Sequence, residues 1–137
     1  MNVIILNTPD DTVNFAHTFA KQLKVGDFLA FYGDLGAGKT SFIHGICDVL
    51  CPNASVSSPT YTIVNEYEAD GFTFCHFDMY RIQSEDDLES IGFWDYSNCI
   101  KAVEWAENIP FALPLHYYKI IIEKTEDNKR KLTIEEI

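Results

Sequence analysis

Asp27-Phe28-Leu29-Ala30-Phe31-Tyr32-Gly33-Asp34-Leu35-Gly36-Ala37-Gly38-Lys39-Thr40 decides the fold. Its first six residues read as a buried strand, and its last eight spell G-x-x-x-x-G-K-[ST], the phosphate-binding loop. Ser41 to Leu50 then keeps helical spacing through Phe42, Ile43, Ile46, Val49 and Leu50. That strand-loop-helix order turns a short pattern into an expectation of a bound nucleoside triphosphate; without it the same residues are a glycine-rich turn. Glycines let the backbone curl so that its N–H groups converge on phosphate oxygens, and the helix adds its positive N-terminal end. Gly33, Asp34, Leu35, Gly36, Ala37, Gly38, Lys39 and Thr40 are therefore the expected nucleotide contacts. Lys39 belongs on the β/γ oxygens and the Thr40 hydroxyl on Mg²⁺.

Working outward, the pattern alternates strands and helices. Residues 3–7 read as a short strand and residues 10–23 as a helix, with Thr8-Pro9-Asp10 as its start signal. Cys51-Pro52-Asn53 stops the loop helix. Residues 61–67 and 72–77, separated by Ala69-Asp70-Gly71, suggest a hairpin. Ser84 is placed as the N-cap of an acidic helix with Asp87 at the capping-box position. A short buried strand is expected over residues 100–103, and a final antiparallel pair over 117–123 and 131–135, split at Asp127-Asn128. The sum is an α/β, phosphate-loop NTPase-like three-layer domain whose mixed sheet has a parallel centre and antiparallel additions. No linker or repeat interrupts residues 1–137, which read as a single domain.

Composition narrows the partners. At 137 residues and 47% hydrophobic, the chain can bury a core of ordinary domain size. Its 10 basic and 21 acidic residues give a formal charge of -11, which opposes unaided binding to a phosphate polyanion. Any nucleic acid is expected to be met through a partner. No stretch reads as a signal peptide or a membrane span, so a cytoplasmic protein without membrane contact is expected. Cys47, Cys51, Cys75 and Cys99 lack C-x-x-C spacing and read as buried reduced thiols.

Nucleotide chemistry also needs a carboxylate at the end of a neighbouring strand to hold the Mg²⁺ shell. Asp78 follows the apolar run Phe72-Thr73-Phe74-Cys75-His76-Phe77 and so emerges at a strand's carboxyl end, where ligands sit in open α/β sheets. A strand-ending surface Asp is the plain alternative. Glu104 has the same placement after Ile100-Lys101-Ala102-Val103 and could orient water or join the metal's outer shell. Trp105 offers an aromatic face suited to a purine, although packing alone would also explain it.

Four blocks together, Gly33 to Thr40, Ser58-Pro59-Thr60-Tyr61-Thr62-Ile63-Val64-Asn65-Glu66-Tyr67, His76-Phe77-Asp78-Met79-Tyr80-Arg81 and Val103-Glu104-Trp105, resemble in kind and order the bacterial TsaE family, formerly called YjeE. The resemblance runs from the first helix to the C-terminal strand pair. It implies an ATP-binding, Mg²⁺-dependent ATPase, slow in isolation, that serves threonylcarbamoyladenosine formation in tRNA. It implies TsaD and TsaB as protein partners, and tRNA only indirectly through them. Carried over by residue, Lys39, Asp78 and Glu104 are the implied catalytic groups and Thr40, Asp78 and Glu104 the metal-linked ones. Ser41 falls near the α-phosphate, Trp105 flanks the adenine, and Arg130 is a basic residue near the nucleotide. Thr60, preferred to Thr62, is the implied γ-phosphate-sensing switch; an ordinary strand entry after Pro59 is the alternative.

Other classes fit less well. A small-molecule kinase closes an arginine-bearing lid, and the only arginines are Arg81 and Arg130. Guanine reading needs N-K-x-D, but Asn128-Lys129 continues into Arg130-Lys131. A module that holds nucleotide with little turnover stays open. The segment from Ser84 through Ile91-Gly92-Phe93-Trp94 reads either as a partner-facing surface or, for Trp94, as core. His17, His44, His76 and His116 share no spacing and read as solvated or packed.

Overall fold

The structure, a computed structural model, describes residues 2–33, 38–54 and 63–137. The expectations for Asp34, Leu35, Gly36, Ala37 and Thr60, and for a strand beginning at residue 61, lie outside the described residues. The elements in order are β1 (Asn2–Leu6), α1 (Pro9–Ala20), β2 (Phe28–Tyr32), α2 (Lys39–Leu50), β3 (Val64–Glu68), β4 (Thr73–Asp78), α3 (Glu85–Ser90), β5 (Cys99–Glu104), β6 (Tyr118–Lys124) and β7 (Arg130–Glu136). Short 3₁₀ turns stand at residues 93–95, 106–108 and 110–112.

Local chemistry sets the helix ends. Thr8 Oγ1 accepts from the Asp11 N–H at 3.1 Å while the Asp11 carboxylate accepts from the N–H groups of Asn7 and Thr8 at 2.9 and 3.2 Å. Two of the orphan donors at the start of α1 are thereby satisfied, and Pro9 sits where its missing N–H costs nothing. The helix ends at Ala20, three residues before the periodic pattern does. There the N–H groups of Gln22 and Leu23 tighten onto Phe19 and Ala20, and Asp27 accepts from the Lys24 N–H, turning the chain into β2. Ser84 caps α3 as expected, but the Asp87 carboxylate returns to the Gln83 N–H rather than to that of Ser84.

Among the described residues the strands form one seven-stranded sheet in the order β1-β7-β6-β2-β5-β4-β3. The centre, β6-β2-β5-β4, is parallel. Antiparallel pairs β3/β4, β6/β7 and β1/β7 complete its flanks. The mixed sheet with a parallel centre is thus as read, and the hairpin across Ala69-Asp70-Gly71 is present. What the pattern did not indicate is that β7 lies between β6 and β1, which brings Leu6 opposite Arg130.

Period-two alternation sorts the side chains onto two faces. Leu29, Phe31, Phe74, Ile100, Ala102, Ile120 and Ile122 pack under α1 and α2 with Phe19, Phe42, Ile43 and Ile46. Phe28, Ala30, Cys75, Phe77 and Val103 pack on the opposite side under α3 and the 3₁₀ turns with Leu88, Phe93 and Ile109. The two helices of the first layer meet closely at Gly45, where a Cβ would lie 2.6 Å from the Ala16 Cβ and 2.9 Å from the Val13 carbonyl oxygen. His17 Nε2 and Asp48 Oδ2, 2.9 Å apart, link the same helices at the surface. Phe93 is buried, whereas Trp94 remains about half exposed, set edge-on against it.

Candidate functional site

The carboxyl ends of β2, β5 and β4 lie side by side. Phe31 pairs with Glu104 across β2/β5, and Glu104 pairs with Asp78 across β5/β4. Because alternate residues share a face, His76 and Asp78 follow Phe74 on the helix-α2 side of the sheet, and Glu104 follows Ile100 and Ala102 there. The two acidic residues singled out from sequence, 26 positions apart by number, are therefore neighbours in the sheet.

Lys39 opens α2 directly above this point and is buried at 4% exposure. Its ammonium donates to the Gly33 carbonyl at 2.9 Å and lies 4.7 Å from the centre of the Trp105 ring. A buried cation gains from both the carbonyl oxygen and the aromatic face. Gly33 is compelled by geometry. Its φ of +123° is left-handed, and a Cβ there would approach the Ile122 carbonyl oxygen to 2.2 Å. Gly38, the residue before α2, is also left-handed at φ +109°.

Asp78 Oδ1 accepts from the Tyr80 N–H at 2.9 Å. Burial holds its carboxyl above the usual Asp range; the Tyr80 N–H opposes this, the neighbouring Glu104 adds to it, and His76 and Lys39 oppose it. Trp105 stands in the left-handed region at φ 59°, its ring centre 5.0 Å from that of the exposed Tyr80. Asn108 ties this corner down by donating to the carbonyls of Met79 and Tyr80 at 2.9 and 3.3 Å.

Glu104 has a partner that sequence reasoning did not assign. His76 Nε2 donates to Glu104 Oε2 at 2.6 Å, with the imidazole fully buried. His76 is a packed histidine, as read, but one whose hydrogen bond goes to a candidate catalytic carboxylate. The signal available in the sequence was the spacing of two that puts His76 on the face of Asp78.

A separate cleft of about 280 Å³ adjoins the start of α2, lined by Leu6, Asn7, Thr8, Pro9, Thr12, Gly38, Ser41, Asn128 and Arg130. Ser41 and Arg130 thus share one cavity, while Trp105 stands by the Lys39 ammonium and is not among that cavity's walls. Asn7, Thr8 and Asn128 are cleft residues that sequence reasoning missed, since Thr8 showed only as a helix cap and Asn128 only as a turn. Asn128 does make that turn, at φ 61°, with the Thr125 N–H donating to the Lys129 carbonyl.

Among the described residues no group of three or more His, Cys, Asp and Glu side chains is arranged to hold a metal. Asp78 and Glu104, set side by side by the strand register, carry hard carboxylate oxygens, and such a pair would suit Mg²⁺, which takes one or two carboxylates and completes its shell with water and phosphate. All four cysteines are free and buried, and burial pushes Cys47 and Cys75 up to about 12, which keeps those two as unreactive thiols. No helix of the described residues is long and apolar enough to cross a membrane.

Comparison with known proteins bears on the family and the fold. Residues 6–132 match the family model described as threonylcarbamoyl adenosine biosynthesis protein TsaE. The chain is 35% identical over 132 residues to the tRNA threonylcarbamoyladenosine biosynthesis protein TsaE of Rickettsia bellii, covering 95% of this chain and 92% of that one. It is 38% identical to the TsaE of Aquifex aeolicus over 134 residues, 96% of this chain and 93% of the relative. The counterpart of Bacillus subtilis is also 38% identical, over 91% of this chain and 79% of its own. The crystal structure of Bacillus subtilis YdiB superposes with a TM-score of 0.75 at 30% identity, covering 97% of this chain and 83% of that one. With a family match across most of its length and relatives aligned nearly end to end, the chain belongs to the TsaE family, whose role lies in tRNA threonylcarbamoyladenosine biosynthesis.

Proposed function

We propose that this protein is an Mg²⁺-dependent ATPase that acts as an accessory to tRNA threonylcarbamoyladenosine formation, working on a TsaD–TsaB complex and meeting tRNA only through it. The observation that carries this reading is the buried Lys39 at the head of α2, set beside the strand ends where Asp78 and Glu104 stand in register. The phosphate-loop residues Gly33 to Thr40 would hold the phosphates, with Lys39 exchanging its Gly33 carbonyl for the β/γ oxygens. Ser41 and Arg130, facing one cleft, would take the nucleoside end. This reading moves the adenine from Trp105 to that cleft and keeps Trp105 at the Lys39 end, where it limits the ammonium's movement. Thr40, Asp78 and Glu104 would hold Mg²⁺, which when bound neutralises charge on the β/γ oxygens. Glu104 would orient the attacking water or the metal's outer shell. Thr60 remains the proposed γ-phosphate sensor.

Slow turnover in isolation is part of the proposal, and the same lysine would limit nucleotide affinity in the free protein. Its ammonium already has a carbonyl and an aromatic face, so nucleotide has to compete for it. The experiment is ATP hydrolysis by the purified protein, alone and then with TsaD and TsaB, with GTP in parallel. Strong stimulation by the partners with preference for ATP supports the accessory ATPase. Bound ATP with no hydrolysis in either state supports a nucleotide-holding module instead.

A further inference from the structure

His76 lies in a strand whose same-face neighbour is Phe74, with an α2-covered apolar layer around it. Its imidazole is fully buried, and its one hydrogen bond among the described residues is to Glu104 Oε2, because Nδ1 has no partner there. An unpaired buried ring nitrogen is a cost, since a polar group withdrawn from water without a partner is destabilising. A phenylalanine would fill comparable volume without that cost. The polar capacity of this side chain is therefore directed at the Glu104 carboxylate, and packing does not explain it.

Glu104 itself is nearly buried, with a side chain 9% exposed. A carboxylate in that position can rotate about its side-chain torsions unless one oxygen is fixed. At 2.6 Å the His76 N–H supplies a short, charge-assisted bond that fixes it. The strand register sets the rest of the arrangement: His76 is the diagonal neighbour of Glu104 across β4/β5, and Asp78 is its direct one.

We infer that His76 is a positioning residue, which commits Glu104 Oε2 to the imidazole and so presents Oε1 in one orientation for the nucleotide's metal shell or attacking water. This rests on the proposed ATPase reading and adds a residue to it. In this role the imidazole meets the Glu104 carboxylate and would itself touch neither nucleotide nor metal. It acts as the outer-shell partners of metal-linked carboxylates act, where loss commonly costs about 10- to 100-fold in metal affinity or activity.

The test uses His76→Phe and His76→Gln in the full chain. Phenylalanine keeps the volume and removes the donor; the glutamine amide places an N–H where Nε2 stands. Three quantities are measured for each: thermal unfolding, affinity for a fluorescent ADP analogue with and without Mg²⁺, and ATP turnover with TsaD and TsaB present. His76→Phe is expected to fold and to bind the analogue without Mg²⁺ as the wild type does. It is also expected to lose about tenfold or more of the Mg²⁺-dependent gain in affinity and of kcat, with KM little changed. His76→Gln is expected to recover most of both. Unchanged Mg²⁺ dependence and kcat in a folded His76→Phe overturns the inference. So does an equal loss with and without Mg²⁺ that glutamine fails to rescue, since that is the signature of a purely structural residue. If His76→Phe does not fold, wild-type values in His76→Gln support the role of the donor, and a tenfold loss there overturns it. A wild-type protein that binds no nucleotide would overturn the ATPase reading itself, and the inference with it.

Discussion

The two faces of the central sheet are filled by opposite rules. Under α3 the strands present Phe28, Ala30, Cys75, Phe77 and Val103, an apolar set completed by Leu88, Phe93 and Ile109. Under α2 the same strands begin with Phe74, Ile100 and Ala102 but end in His76, Asp78 and Glu104, with Lys39 buried above them. Buried charge is tolerated where it is paired or about to be paired, and the helix that follows Gly38 covers only that face. Both faces thus carry a core, and the α2 face alone gives up some stability at its strand ends to a site.

This contrast predicts where substitutions act. Phe77→Ala should have the largest effect, about 3–5 kcal/mol of unfolding free energy, because Phe77 is fully buried with its ring centre 5.0 Å from that of Phe93 and 5.2 Å from that of Tyr96. Denaturant unfolding measures it, and nucleotide affinity should be retained wherever the variant stays folded. A loss of affinity at full foldedness would break the contrast.

On the other face, Glu104→Gln keeps an acceptor for His76 and should preserve folding and ATP binding while lowering turnover by about 10²-fold or more. Steady-state kinetics at saturating ATP provides the check. Glu104→Ala should likewise lose turnover while ATP still binds, but it also orphans the imidazole, so some stability should go with it. Lys39→Ala should instead weaken phosphate binding itself. Wild-type turnover in Glu104→Gln would return Glu104 to a packing role and erase the difference between the faces.

A smaller effect is expected between the layers. Gly45→Ala pushes a methyl against Ala16 and the Val13 carbonyl, and overpacking of this kind costs about 1–3 kcal/mol. Thermal unfolding should show it, with catalysis unchanged below the transition. Unfolding temperatures equal to the wild type would mean that α1 and α2 can slide apart.

The smallest effect sharpens the comparison by its sign. The Asp78 carboxyl is held above its ordinary value chiefly by burial, so the folded chain disfavours its charged form. That group weakens the free protein as pH rises from the ordinary Asp value through the raised one, and the penalty is complete above it. Asp78→Asn retains the acceptor for the Tyr80 N–H and should be slightly more stable than wild type at neutral pH. Its advantage should vanish below the ordinary Asp range, where both chains are neutral. With Mg²⁺ and ATP present the order should reverse. Paired unfolding curves across pH, with and without ligand, measure both signs.

Much of this was legible in the chain itself, because the relevant signals are local. An apolar run and a helical period determine β2 and α2 within about 25 residues, and strand-ending positions suffice to nominate Asp78 and Glu104. Thr8-Pro9-Asp10 marked the start of α1, since a cap is a matter of a few neighbouring residues, although the carboxylate that closes the capping box is that of Asp11. The tertiary structure alone decided what depends on register and strand order. The diagonal across β4/β5 gives Glu104 its histidine. The placement of β7 between β6 and β1 brings Arg130 and Asn128 to the same cleft as Thr8 and Ser41. Trp105 turns to Lys39 through a left-handed backbone that no pattern of residue types announces. Such contacts join residues dozens of positions apart, and their geometry exists only once the sheet has closed its order.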